Sequence, residues 1–265
     1  MAEAVRIALV FPSLLGTYGD GGNAVVLARR LSWRGIESEV VEVEIGQALP
    51  EAADLYVLGG GEDAAQTLAV SQLSDGSLGR VVDAGQVVFA VCAGFQILGE
   101  TFLDGSGKVN PGLGLIDCHT DRLAGSRAVG ELLGASTIDG MGELTGYENH
   151  GGRTTLGPDA APLATVIHGI GNGASAQAGI GPAATGAFVD GAMQGSVIAT
   201  YLHGPALARN PKLADWILAR VVGDDLSEID DREELELRRE RLSAVKVSGL
   251  RRRFRSRQWR PSAIS

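Results

Sequence analysis

Cysteine is scarce in this chain: only Cys92 and Cys118 occur in 265 residues. Two thiols cannot build a disulfide scaffold or a four-ligand zinc site, so each is read as a buried small residue or as a nucleophile. Long apolar runs are missing as well. No stretch approaches the roughly 20 residues that a membrane helix requires. The run Ile7 to Phe11 is too short for a secretory signal and has neither a basic lead nor a small-residue cleavage site. The expectation is a cytoplasmic protein with no membrane span. No G-x-x-x-x-G-K-[ST] run is present, so no nucleotide site of that kind, and no cofactor or metal, is assigned to this chain. A net charge of −9 speaks against general nucleic-acid binding.

What is present suits a large folded domain, with 45% hydrophobic and 21% charged residues. Short β-branched runs alternate with longer amphipathic segments from Arg6 to about Gly223. This pattern predicts an α/β fold with a mostly parallel, doubly wound sheet flanked by helices. Strands are expected at Arg6–Phe11, Glu37–Val43, Asp54–Leu58, Gln86–Val91 and Ser196–Leu202, and helices at Gly21–Arg34 and Pro211–Val222. Between Val109 and Ala199, Gly, Thr and short Val/Leu runs predict strands and loops, with a long loop or paired short strands over Gly169–Gly186. Residues 1–223 are read as one domain. Residues 224–265 form a charged extension, in which Glu233–Leu242 has helical spacing and a basic tail follows. That tail reads as a solvated end or as a docking segment for an acidic partner or membrane surface.

The sharpest local pattern is Val87-Val88-Phe89-Ala90-Val91-Cys92-Ala93-Gly94-Phe95-Gln96, a strand running into a helix with Cys92 at the junction. Small neighbours let such an elbow close tightly, and a helix N-terminus favours a thiolate. A buried core cysteine is the plain alternative. Gly59-Gly60-Gly61, after the third strand, could present N–H donors or could simply make a tight turn. Of four histidines, His203 ends the strand Val197–Leu202 on the sheet edge where Cys92 should also lie. His119 beside Cys118 lacks further ligands at metal spacing; His150 stands in a polar turn, and His168 has no supporting context.

Together the Gly run, the Cys92 elbow and the strand-terminal His203 resemble the class I glutamine amidotransferases, whose sheet is flavodoxin-like. Cys92–Gln96, Pro111-Gly112-Leu113-Gly114-Leu115 and Tyr201–Pro205 look like the cobyric acid synthase branch. Gly16-Thr17-Tyr18-Gly19-Asp20-Gly21-Gly22-Asn23 and Gly146–Thr154 look like the glutaminase subunits of lipid II isoglutaminyl synthases. This resemblance implies Cys92 as nucleophile and His203 as base. It also implies Gly60 and Ala93 N–H groups as an oxyanion hole, and Arg127 with Gln96 as substrate-binding residues for L-glutamine.

The acid usually found two residues after the histidine is replaced by Pro205. That leaves Asp20, Glu148 or a carboxylate supplied by a partner as the third catalytic group. The resemblance further implies a heterodimer with a Mur-ligase-like synthetase, which carries ATP and Mg and amidates the D-glutamate of lipid II at the membrane surface for peptidoglycan synthesis. A corrinoid or other small-acid acceptor, and a catalytically silent scaffold, are the competing readings.

Overall fold

The structure is a computed structural model that describes residues 3–173, 188–223 and 226–243. Its first part alternates β1 (Val5–Val10), α1 (Gly22–Trp33), β2 (Ser38–Val43), β3 (Leu55–Leu58), α2 (Asp63–Leu73), α3 (Ser77–Asp83), β4 (Val87–Val91) and α4 (Ala93–Leu98). Short strands follow: β5 (Thr101–Leu103), β6 (Val109–Pro111), β7 (Cys118–Arg122), β8 (Ala128–Ser136), β9 (Glu143–His150), β10 (Gly152–Leu156), β11 (Ala164–His168) and β12 (Val189–Asp190). The last elements of the domain are β13 (Ala192–Gln194), β14 (Val197–Thr200), α5 (Ala206–Arg209) and α6 (Pro211–Val222).

A six-stranded sheet in the order β13-β14-β4-β3-β1-β2 forms the centre. Every pairing in it is parallel except β13 with β14. Strands β3, β4 and β14 are buried along their whole length, which is why their sequences are unbroken apolar runs rather than alternating ones. The edge strand β2 is largely exposed and mixes Glu with Val. Two further four-stranded sheets, β10-β7-β5-β6 and β12-β11-β8-β9, are built from the Gly- and Thr-rich middle of the chain.

The parallel register decides where chemistry can occur. Leu58 pairs with Ala90 and Val91 with Thr200, so β3, β4 and β14 end together. The Gly59–Gly61 run, Cys92 and His203 leave that common edge side by side, the position at which open α/β sheets bind ligands. A bridge from β9 fixes the last of them: Tyr147 N–H donates to His203 O at 3.2 Å, and His203 N–H donates to Tyr147 O at 2.8 Å.

The charged extension is tied to the domain over its described part, and residues 232–243 are helical. Arg30, fully buried on α1, donates to Asp215 on α6 at 2.6 and 2.7 Å and to Asp231 at 2.7 Å. A buried guanidinium is tolerated only with such charge-assisted partners. Arg34 Nε donates to Ser227 O at 2.8 Å, and Arg238 Nη1 to Asn210 Oδ1 at 3.0 Å. The basic tail at 244–265 and residues 174–187 of the Gly/Ala-rich stretch lie outside the described residues. No helix among the described residues is long and apolar enough to cross a membrane.

Candidate active site

Cys92 sits at φ 52°, ψ −105°, between β4 and α4. A left-handed φ costs a non-glycine residue about 1–2 kcal/mol. Here it is held by Cys92 N–H donating to Thr200 O at 2.9 Å and by Gly94 N–H donating to Gly59 O at 3.0 Å. A Cβ on Gly94 would stand 2.9 Å from Leu58 Cβ and 3.0 Å from Gly59 O, so only glycine lets the elbow lie this close to β3. Cys92 is 6% exposed and lines a cavity of about 310 Å³, within the roughly 300–1,000 Å³ usual for small-molecule sites.

His203 is fully buried, and its Nδ1 lies 2.8 Å from Asp20 Oδ2. Because a carboxylate only accepts, Nδ1 carries the proton and Nε2 is the atom left for the thiol. Nε2 is buried and has no hydrogen-bond partner among the described residues. Burial pulls the imidazole pKa down, but the hydrogen bond to Asp20 and then the adjacent Cys92 outweigh it and raise it to about 10. At that value the histidine is an imidazolium at neutral pH. Cys118 is the contrast, since burial among apolar atoms pushes its thiol up to about 12 and keeps it protonated.

Asp20 reaches His203 across 183 positions of sequence because of the turn that carries it. Tyr18 and Gly19 are both left-handed, at φ 63° and 76°, and reverse the chain so that Asp20 points under the sheet edge. Asn23 holds the result: its Nδ2 donates to Asp20 O at 3.0 Å, and its Oδ1 accepts from Leu207 N–H, beyond His203, at 3.0 Å. Nδ1 of His203 thus has a carboxylate partner from within the chain. Glu148, the other acid considered, lies elsewhere. Its carboxylate accepts from Ile170 and Gly171 N–H, each at 2.9 Å, and is 3.5 Å from His150 Nε2.

One expected role needs correction. The Gly60 N–H donates to Asp20 Oδ2 at 2.8 Å and is spent there, so in this arrangement it is not an oxyanion donor. Gly60 instead supplies space: a Cβ there would stand 2.7 Å from His203 Cε1, 3.0 Å from Asp20 Oδ2 and 3.4 Å from Cys92 Cβ. The Ala93 N–H, an orphan donor of the first turn of α4, has no partner among the described residues. Gly61, next to Gly60, lines the cavity, and its N–H is likewise unpartnered among the described residues.

Arg127 and Gln96 both line the cavity with Cys92, and so do Arg122 and His150. Arg127 is clamped by Asn149, with Nε donating to Oδ1 at 2.6 Å and Nη2 to the backbone O at 3.0 Å, which leaves Nη1 without a partner among the described residues. Gln96 faces inward but is committed to the wall. Its Nε2 donates to Tyr201 Oη at 3.0 Å, and its Oε1 accepts from Gln66. Tyr18, Asn149 and Gln66 were given no site role in the sequence reading, and Gly61 only a share in the donor role of its glycine run. Tyr18 and Asn149 stand inside the runs that carried the resemblance, which was the available signal. Among the described residues no group of three His, Cys, Asp or Glu side chains is placed to hold a metal ion.

Comparison with known proteins bears directly on this arrangement. The model of the CobB/CobQ-like glutamine amidotransferase domain matches residues 6–211. The chain belongs to that family. It is 30% identical over 230 residues to the lipid II isoglutaminyl synthase (glutamine-hydrolyzing) subunit GatD of Staphylococcus aureus (strain N315), covering 84% of this chain and 88% of that one. The corresponding GatD of Streptococcus pneumoniae (strain ATCC BAA-255 / R6) is 32% identical over 213 residues, covering 79% and 77%. A cobyric acid synthase of Methylocella silvestris is 36% identical over 196 residues, which is 70% of this chain but 36% of that protein. Among solved structures, a glutamine amidotransferase matches with TM-score 0.53 and 21% identity over 81% of this chain and 98% of its own. At that identity the match concerns the fold. As a member of this family the chain is a glutamine amidotransferase, with the α/β sheet expected of one.

Proposed function

We propose that this chain is the glutaminase subunit of a lipid II isoglutaminyl synthase, working in the cytoplasm as one half of a heterodimer. The observation that carries the chemistry is Cys92 at a strained elbow beside His203, whose far nitrogen is held by Asp20 at 2.8 Å. The acceptor is argued from the similarity to GatD subunits, which extends over most of both chains.

Glutamine enters the cavity with its α-carboxylate on Arg127, whose planar fork suits a planar anion. Asp63 and Asp121 on the same lining offer counter-charge to the α-ammonium. Cys92 thiolate attacks the side-chain amide carbon, and the Ala93 N–H, with Gly61 N–H as the second candidate donor, takes the developing oxyanion. The His203 imidazolium gives its Nε2 proton to the departing ammonia. Water, deprotonated by the same nitrogen, then cleaves the thioester and releases glutamate. Ammonia passes to a Mur-ligase-like synthetase, which brings ATP and Mg and amidates the D-glutamate of lipid II for cell-wall synthesis.

Co-purification with such a synthetase, followed by an amidation assay on lipid II, tests this reading. Amidation is expected to require both subunits when glutamine is the donor. A complex carrying Cys92→Ala is expected to lose glutamine-driven amidation yet keep activity with ammonium salts, since only the ammonia supply is removed. The similarity to cobyric acid synthases favours a second reading, in which a corrinoid is the acceptor. Amidation of a corrinoid acid but not of lipid II would establish it over the first.

A further inference from the structure

Among the described residues Tyr18 is one of three non-glycine residues with positive φ, at 63°, and it is 44% exposed. A large aromatic side chain in a left-handed turn is disfavoured, and glycine would take that conformation freely, as Gly19 does at φ 76°. What the tyrosine gains is seen at both ends of its side chain. The ring lies edge-on to the imidazole of His203, with centroids 5.0 Å apart and planes at 64°. The hydroxyl accepts a hydrogen bond from Asn149 Nδ2. Asn149 is the residue that clamps Arg127 through both its side-chain and backbone oxygens. Arginine only donates, so Asn149 Oδ1 must face Arg127, and its NH₂ is thereby aimed at Tyr18. A continuous chain of contacts therefore runs Arg127–Asn149–Tyr18–His203, from one wall of the cavity to the buried base beside Cys92.

We propose that Tyr18 is a positioning residue that registers the two ends of the substrate site: its hydroxyl fixes the Asn149–Arg127 clamp, and its ring fixes the imidazole of His203. Glutamine must place its α-carboxylate and its amide carbon at a fixed separation. One residue touching both the clamp and the base sets that separation more tightly than two independent walls would. Asp20 follows two positions later in the same turn, so the segment that orients His203 through its ring edge also holds it through Nδ1.

The assignment rests on the glutaminase reading above, and the test separates the two. Glutamine hydrolysis is measured with the full chain, alone and with its synthetase, for the wild type, Cys92→Ala, Tyr18→Phe and Tyr18→Gly. An inactive wild type or an active Cys92→Ala refutes the glutaminase reading, and the assignment falls with it. With those controls as expected, Tyr18→Phe keeps the ring and loses the hydroxyl, so KM rises about fivefold, the equivalent of one hydrogen bond, while kcat changes less than about twofold. Tyr18→Gly takes the turn without strain but removes the ring, so kcat falls about tenfold or more. A merely structural role would move both constants together in both variants, or neither. That result, a wild-type KM in Tyr18→Phe, or a wild-type kcat in Tyr18→Gly would overturn the proposal.

Discussion

Replacing Asp20 with Asn is expected to lower kcat for glutamine hydrolysis by about 10²-fold, at the low end of what general acid–base catalysis contributes. The argument turns on which way the new amide sits. Asp20 Oδ2 accepts from both Gly60 N–H and His203 Nδ1, whereas Oδ1 is buried without a partner among the described residues. In the variant these two donors select the amide oxygen for the Oδ2 position, and the NH₂ falls where Oδ1 was. The tautomer of His203 is preserved and only the charge is lost. The cost is therefore smaller than for an acid whose replacement turns the imidazole round.

Loss of the charge turns a charge-assisted hydrogen bond at Nδ1 into a neutral one and removes the attraction of the carboxylate, so the imidazole pKa, raised to about 10 by Asp20 and then Cys92, falls. The alkaline limb of the kcat/KM profile is expected to move towards neutrality, because the imidazolium needed to protonate ammonia is lost at lower pH. Stability follows the same sign. With a folded pKa above its ordinary value, His203 contributes stability that is full below about pH 6.5 and fades as pH rises through about 10. Comparison of the two pH–rate profiles checks this; superimposable alkaline limbs would show that Asp20 does not act through His203.

Gly60→Ala is expected to be as damaging although it replaces no catalytic side chain. The added methyl would lie 2.7 Å from His203 Cε1 and 3.0 Å from Asp20 Oδ2, both on buried groups pinned by hydrogen bonds. Neither neighbour is the loose end of a flexible chain, so the methyl is accommodated by parting β3 from the His203 turn or by tilting the imidazole. Overpacking of this kind costs about 1–3 kcal/mol of stability. A displacement near 1 Å in a catalytic constellation costs about 10² in rate. The expected result is a folded protein, with an unfolding temperature lowered by a few degrees and kcat reduced about 100-fold. Steady-state kinetics beside a thermal melt check it, and wild-type kinetics would mean that the Gly60 region yields easily.

These effects also mark what a sequence can disclose. The central strands were legible because burial on both faces leaves unbroken apolar runs at Leu55–Leu58 and Val87–Val91. Cys92 and His203 were legible as neighbours because each directly follows a strand, and parallel strands share an edge. Helix α2 was not singled out; it buries Ala65, Gln66, Ala69 and one large apolar residue, Leu73, rather than a broad apolar stripe. Asp20 could not be chosen over Glu148, because the choice depends on two consecutive left-handed residues, one of them a tyrosine that local propensity would not put there. The Gly60 donor was misassigned for a related reason. Its partner is a carboxylate 40 residues away, and only the folded chain shows that the N–H is already used.

The central claim is that Cys92 is the thiol that attacks glutamine, and covalent trapping tests it most directly. The full chain, alone and with its synthetase, is treated with a glutamine analogue carrying a diazo-ketone in place of the amide, digested and sequenced by mass spectrometry. One label on the peptide containing Cys92, slowed by glutamine and absent in Cys92→Ala, is the predicted result. No label in either preparation, or a label on Cys118 instead, would contradict the account.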